Sequence, residues 1–372
     1  MNKGLHLMHV FPGFAPGGAE LRMTRIMNGM GPGVRHTVLS LNGYWGARDS
    51  IDAEIPTEYV TAPPGGGGRF YFLELQSAIR RRHPDVLLTY NWGAIEATIG
   101  GWLGNICPII HNECGFGADE SAGFKTSRVL TRWIVLNQVF AVAVTSRAMR
   151  EVATRVFRLP AEKVHWIRTG VDVERFRPGL SRDWRREIGV GDDELLAGFL
   201  GGFRPEKNLP LLIRAFASAR IPKAKLALVG DGFGGEQLRR LVGELRCEDS
   251  VIFAGHAADP VACLAALDVF ALSSCTEQTS NALLEAMACG LPAVATDVGD
   301  SADLLGAEYV VPSGDECEFA LALAALAESA ELRCRMGAAN RRRCVERHPL
   351  AGMVHQYEAL YRAAAASGRS GA

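Results

Sequence analysis

Two glutamates, Glu277 and Glu285, bracket the polar run Gln278, Thr279, Ser280, Asn281 in the stretch TEQTSNALLEAMACGLP (276–292). The stretch follows DVFALSSC, an apolar run that reads as a strand ending in a polar loop. Thr279 or Ser280 is placed to cap a helix that begins near Asn281 and closes at Gly290 and Pro292, about ten residues in all. The first turn of such a helix offers unsatisfied N–H groups, and its dipole favours an anion. A diphosphate suits both. Carboxylates repel phosphate, so the glutamates serve something beside it: sugar hydroxyls, which donate hydrogen bonds and flank the diphosphate of a nucleotide sugar on both sides. One glutamate can hold the ribose and the other the transferred sugar. A plainer reading makes Glu285 a complement to the helix dipole and Glu277 a loop charge. The succession strand, loop, Glu, cap, helix, Glu, AMACGLP, strand favours a ligand.

Other segments carry groups that suit the same ligand. GGFRPEKNLPLLIRAFA (201–217) follows a strand and opens a helix, so Lys207 can meet a diphosphate as a point charge and Arg204 can add a fork of donors. Solvated surface charge is the alternative. In FPGFAPGGAELRM (11–23), Gly17 and Gly18 let backbone approach a ligand closely, though G-x-G-x-x-G is absent. HNECGFGADE (111–120) opens at a strand end with His111, which alone reads as a structural or buried hydrogen-bonding residue. Glu113 has two readings, orienting an acceptor hydroxyl or capping the loop.

The elements that must position these groups alternate along almost the whole chain. LHLMHVF (5–11), HTVLSL (36–41), DVLLTY (85–90), PIIH (108–111) and VFAVAV (139–144) are apolar on both faces, as buried parallel strands are. A second series follows: LLAGFLG (195–201), KLALVG (225–230), SVIFAG (250–255), DVFALS (268–273), PAVAT (292–296) and EYVVP (308–312). Amphipathic stretches such as LPLLIRAFASA (209–219) and FALALAALAES (319–329) lie between. This is an α/β pattern of βαβ units occurring twice, two doubly wound Rossmann-like domains facing a cleft. The expected division is 1–170, 171–349 and a closing helix over 350–372 with a frayed ASGRSGA tail.

The run from Thr276 to Asp300 resembles the E-x7-E region of retaining glycosyltransferases of family 4, which share the GT-B fold. The resemblance implies that Glu277 contacts the donor sugar's hydroxyls and Glu285 the ribose. Gln278 stands where most members have Gly. Lys207 matches the family's phosphate-binding lysine, but the arginine five positions earlier is Gly202 here, with Arg204 as a substitute. The resemblance further assigns Gly17 and Gly18 to the phosphates and acceptor, His111 to a strand-end histidine that reaches the donor sugar, and Gly255 and His256 to the base. It also covers the GDG of VGDGFGGEQL (229–238) and the junction GVDVERFRP (170–178), and it has the closing helix cross back toward the first domain. YNWGAIEATIGGWL is loosely similar to sugar transferases of exopolysaccharide synthesis. The implied reaction moves a sugar from a nucleoside-diphosphate sugar, UDP- or GDP-linked, to a hydroxyl acceptor such as a sugar or glycolipid, with retention and without cofactor or metal. No DxD triplet is present. The alternatives are a nucleotide-sugar epimerase of the same fold and a binding partner that has lost catalysis.

Composition bounds the setting. The chain of 372 residues is 48% apolar and 22% charged, with a net charge of −1, which fits a globular enzyme and gives no bulk attraction to nucleic acid. The first 170 residues are mildly basic and the rest mildly acidic. Arg128, Arg132, Arg147, Arg150, Arg155 and Arg158 crowd helical sequence, either as a solvated face or as a peripheral contact with an anionic membrane. Nine cysteines without C-x-x-C spacing argue against disulfides and zinc and for a reducing cytosol. The N-terminus reads as strand rather than signal peptide. A cytoplasmic protein is expected, with a peripheral contact at the inner face of the membrane as the alternative to a solvated arginine face.

Overall fold

The computed structural model describes residues 4–64, 68, 70–115, 123–232, 234–256 and 259–369. The chain forms two compact units, Met1–Thr169 with Ala351–Ala372, and Gly170–Leu350. The first holds the strands β1 (His6–Phe11), β2 (Arg35–Ser40), β3 (Thr57–Thr61), β4 (Val86–Tyr90), β5 (Ile109–Glu113), β6 (Ala141–Val144) and β7 (Val164–Trp166). They line up as β3-β2-β1-β4-β5-β6-β7, every pairing parallel. The second holds β8 (Leu195–Leu200), β9 (Ala224–Val229), β10 (Val251–Gly255), β11 (Val269–Leu272), β12 (Ala293–Thr296) and β13 (Val310–Val311), in the parallel order β10-β9-β8-β11-β12-β13. The order reverses beside β1 and beside β8, the places where a doubly wound sheet opens a crevice at its carboxyl edge.

Both expected strand series are present. Continuous burial of β1, β4, β5 and β6 explains why their sequences do not alternate. Two strands are additional to those read from sequence. In β3 Val60 is the one buried residue, and β7 has three residues; both are edge strands, where one-sided burial thins the apolar signal.

The helix Leu350–Arg369 belongs to the first unit, where Tyr357 and Tyr361 are fully buried. Its Val354 comes so close to the helix Gly18–Met30 that a Cβ on Gly29 would lie 2.6 Å from the Val354 Cγ2. The tail expected to fray is helical through Arg369, since the Ala-rich run Ala363 to Ala366 carries the helix past Ser367. Ser370 to Ala372 lie outside the described residues.

The first core contains histidines that the sequence pattern hides. His9 Nδ1 shares a hydrogen bond with the Tyr90 hydroxyl at 2.8 Å, and His9 Nε2 meets His36 Nδ1 at 3.0 Å. Burial first, then the neighbouring His6, pushes His36 down to about 4; burial and the adjacent His36 hold His9 well below its usual value. Both are neutral in the fold, and each titrates near 6.5 once unfolded. Between those values the unfolded chain binds more protons, so stability rises with pH across the window. The stabilisation is complete above about pH 6.5 and is lost as pH falls toward about 4, with about 3 kcal/mol at stake from His36 alone. Urea midpoints measured from pH 7.5 to pH 4.5 should fall steeply on the acid side, and His36→Gln should flatten that slope.

Candidate active site

In the second unit, the loops after β8, β9, β10 and β11 all emerge at the carboxyl edge of one parallel sheet. After β8, the turn Pro205–Lys207 precedes the helix Leu209–Ala219 and delivers Lys207. After β11, the loop delivers Glu277. The Lys207 Nζ and Glu277 Oε1 form an ion pair, with the two side chains only 13% and 14% exposed. Ser274 donates to the same Glu277 oxygen at 2.9 Å, and the Cys275 N–H donates to the Glu206 carbonyl at 2.8 Å. The Ser273 hydroxyl donates to the Lys207 carbonyl at 2.8 Å, so the two loops are stitched by backbone as well as by charge.

Glu277 and Gln278 are seated from behind by Gly299. This residue has φ +56°, and a Cβ there would collide with the carbonyl oxygens of both residues. Asp300 adds its N–H to the Gln278 carbonyl at 2.9 Å and takes a hydrogen bond from Thr279 Oγ1 at 2.9 Å. The helix that follows is Asn281–Ala288, shorter than the expected ten residues because Cys289 and Gly290 already terminate it. Ser280 is its N-cap, accepting from the Leu283 N–H. Glu285 is buried in the second turn, whereas Asn281 is half-buried at the opening.

Arg204 and Gly202 stand together. A Cβ on Gly202 would be 3.8 Å from both Cγ and Nε of Arg204, so the arginine stem runs past the space a side chain at 202 would fill. The guanidinium is exposed and meets Glu206 at 3.2 Å. At the end of β10, Gly255 takes φ +68° and its carbonyl accepts from the Gly230 N–H at 2.7 Å, leaving His256 exposed. Asp231 and Gly232 of the GDG loop are described, and Phe233 lies outside the described residues.

In the first unit, Gly17 is the N-cap of the helix Gly18–Met30 and has no side-chain cap of its own. The Glu20 carboxylate folds back against it, where a Cβ on Gly17 would be 2.6 Å from Oε2. His111 departs from its sequence assignment. It is the third residue of β5 rather than a strand-end group, fully buried, with Nδ1 2.8 Å from Thr89 Oγ1. Glu113 is also fully buried. Its Oε1 accepts from Arg132 Nε at 2.7 Å and lies 3.5 Å from His111 Nε2. Burial alone would raise the Glu113 carboxyl, but His111 and the Arg132 guanidinium outweigh it and hold the group below its usual range. The residue that leaves the strand is Cys114, whose N–H donates to Asn91 Oδ1 at 2.7 Å. Residues 116–120 of that motif lie outside the described residues.

Sequence reading missed Ser274, Gly299, Asp300 and Arg132. The serine and the glycine left a trace, since SSC before Glu277 and VGD after the next strand are small-residue loops of the kind that packs closely. Arg132 left none, because a helix arginine reads as solvated. Among the described residues no three His, Cys, Asp or Glu side chains gather as a metal site, and no helix is long and apolar enough to cross a membrane.

Comparison with known proteins covers both units. Residues 16–175 match the family described as Glycosyltransferase Family 4, and residues 181–343 match Glycosyl transferases group 1. A D-inositol 3-phosphate glycosyltransferase of Stackebrandtia nassauensis is 32% identical over 239 residues, 59% of this chain and 54% of that protein. An N-acetyl-alpha-D-glucosaminyl L-malate synthase of Bacillus anthracis is 33% identical over 181 residues, 48% of each. The chain thus spans about half the length of these curated relatives. The crystal structure of Anabaena Alr3699/HepE with UDP-glucose superposes with a TM-score of 0.83 at 21% identity, over 95% of this chain and 98% of that one. A matched segment in each unit, the two together spanning most of the chain, and a full-length likeness of fold place the chain among the GT-B glycosyltransferases of group 1, family 4.

Proposed function

We propose that the protein is a retaining hexosyltransferase that moves a sugar from a nucleoside-diphosphate sugar to a hydroxyl acceptor. The observation that carries this reading is the Lys207–Glu277 pair set immediately before the Ser280-capped helix. A cation, a carboxylate and a helix N-terminus in one place suit a sugar diphosphate and little else. The N-terminus of the helix Asn281–Ala288 and the Lys207 ammonium take the diphosphate and stabilise it as it leaves. Glu277 accepts from hydroxyls of the transferred sugar, and Glu285 from the ribose. Gln278 and Thr279 line the approach, Arg204 lends charge in place of an arginine at Gly202, and the backbone around Gly255 and His256 faces the base. The second unit is the donor side.

The first unit is the acceptor side, with Gly17 and Gly18 as the open backbone there. His111 and Glu113 act as positioning residues beneath it. Binding energy comes from fixed charges on rigid strand ends, so the chemistry is chiefly one of positioning. One named relative is a D-inositol 3-phosphate glycosyltransferase, another an N-acetyl-alpha-D-glucosaminyl L-malate synthase, and the Anabaena structure holds UDP-glucose, which makes UDP the first nucleotide to test. We place the reaction in the cytoplasm, in assembly of polysaccharide or glycoconjugate. Within the basic stretch 128–158 the exposed Arg147, Arg150, Arg155 and Arg158 contact an anionic membrane face, while the buried Arg132 takes no part.

Calorimetric titration with UDP, GDP, ADP and CMP tests the donor site. One nucleoside diphosphate should bind selectively, and Glu285→Gln should weaken it by about 10–100-fold, the worth of a hydrogen bond to a charged group. Binding of none of them would leave a fold without the function. Product analysis without acceptor separates transfer from epimerisation: an altered nucleotide sugar would favour an isomerase.

A further inference from the structure

The helix Asn281–Ala288, proposed to meet the diphosphate at its first turn, is pinned at its last. The final four carbonyls of a helix have no partner within it and must find donors elsewhere. The residues that follow this helix serve three of them: Cys289 N–H donates to Glu285, Leu291 N–H to Ala286 and Gly290 N–H to Met287, each at 3.0 Å. The fourth carbonyl, Ala288, takes the half-buried Arg341, whose Nη1 lies at 2.9 Å. The same Nη1 donates to the Val173 carbonyl at 2.8 Å and to the Phe176 carbonyl at 2.9 Å. One guanidinium nitrogen thus ties the end of the helix to a segment far from it in sequence.

Arg341 belongs to a face of the helix Ala330–Arg347 that also carries Met336, Gly337, Asn340 and Cys344. Asn340 Nδ2 donates to the Leu291 carbonyl at 2.8 Å, and the Ala293 N–H donates to Met336 Sδ at 3.3 Å. The Cys344 thiol reaches the Leu284 carbonyl at 3.5 Å. Gly337 lets the two backbones touch, since a Cβ there would lie 2.1 Å from the Gly290 carbonyl oxygen. The segment that Arg341 binds is itself fixed. Val171 N–H donates to the His348 carbonyl at 2.8 Å, and Leu350 N–H donates to the Val171 carbonyl at 3.0 Å. Residues 171–176 are therefore bonded both to the middle of the helix Ala330–Arg347 and to its exit. Eight helical residues make a rod about 12 Å long. Release of Ala288 lets that rod shift as one piece, carrying Glu285 and the first turn with it.

We propose that Arg341 is a positioning residue of the donor site: by holding Ala288 against residues 173–176 it keeps Glu285 and the helix N-terminus aimed at the nucleoside diphosphate. This rests on the reading of the helix Asn281–Ala288 as the diphosphate seat. A cation at the last carbonyl also complements the dipole whose other pole faces the anion. Arg333 supplies a matched control, because it lies on the same helix and caps a different one. Its Nη1 donates to the Leu326 and Ala327 carbonyls at 2.6 and 2.8 Å, at the end of the helix Glu316–Glu328, which carries no proposed ligand contact. UDP is titrated by calorimetry into wild type, Arg341→Met, Arg341→Lys and Arg333→Met, below the thermal melt of every variant. Arg341→Met should bind UDP about tenfold more weakly, the scale expected of a small misplacement. Arg341→Lys should recover part of that loss, since an ammonium can still serve the Ala288 carbonyl. Arg333→Met should lower the melt yet bind UDP within about twofold of wild type, as a distant site does. If folded Arg341→Met binds UDP like the wild type, Arg341 only braces the fold and the proposal is overturned. Equal weakening in Arg341→Met and Arg333→Met would trace the effect to general loss of stability and overturn it too. A wild type that binds neither UDP nor GDP, ADP or CMP would defeat the donor reading itself, and this role with it.

Discussion

Replacing Lys207 with methionine is expected to lower the rate of sugar transfer by about 10²–10³-fold, the usual cost of removing one fixed group that stabilises a leaving anion. The methionine keeps the buried stem that crosses between the two loops, so the change falls on charge and not on packing. In the resting protein the ammonium is held by Glu277, and Glu277 is held in turn by Ser274 and by the backbone around Gly299. The lysine is therefore already in place when a diphosphate arrives, and little reorganisation is required at the moment of bond breaking. Arginine should not substitute well, because its planar fork does not fit a site shaped for a point charge. Glu277→Gln should leave UDP affinity nearly unchanged and reduce kcat, since its proposed partner is the sugar and not the phosphate. The double variant should fall well short of the product of the single effects, because each change removes part of the same pair. Steady-state kinetics that show Lys207→Met with wild-type kcat/KM would remove the lysine from the mechanism.

Much of this arrangement was readable from local pattern. Strands buried on both faces announce themselves as short apolar runs, and β1, β4, β8 and β9 fall where those runs do. The helix Asn281–Ala288 was readable because its cap and its stop are both local: Ser280 before it, Gly290 and Pro292 after it. The limits are equally physical. β3 and β7 at the sheet edge bury too little to leave a periodic signal. His111 lies on the inner run of β5, and nothing in HNEC says which of its residues turns out of the sheet. The ion pair of Lys207 with Glu277 joins residues seventy positions apart, so sequence gives both partners but not their meeting. The same is true of the His9–His36 contact, where two strand residues each look like an ordinary interruption of an apolar run.

Arg132 is the residue whose loss should cost the fold most. It is fully buried, its Nε is 2.7 Å from Glu113 Oε1, and three aromatic rings close around its guanidinium. Arg132→Met removes a cation but leaves the carboxylate in a dry interior, where the second Glu113 oxygen and His111 Nε2 already lack hydrogen-bond partners among the described residues. Breaking one half of a buried pair costs about 3–5 kcal/mol, chiefly because the remaining charge is uncompensated. Neutralising that charge as well should recover much of the loss, so Arg132→Met/Glu113→Gln is expected to be more stable than Arg132→Met alone. A pH series gives an independent check. Without the arginine, burial raises the Glu113 carboxyl, the folded chain takes up the proton more readily than the unfolded one, and the variant's deficit against wild type shrinks as pH falls. Urea unfolding of the three proteins between pH 8 and pH 5 reads all of this at once. A deficit that does not change with pH, and a double variant no better than the single, would mean that Arg132 acts by packing on the rings of Trp92, Phe124 and Phe157 and not by its charge.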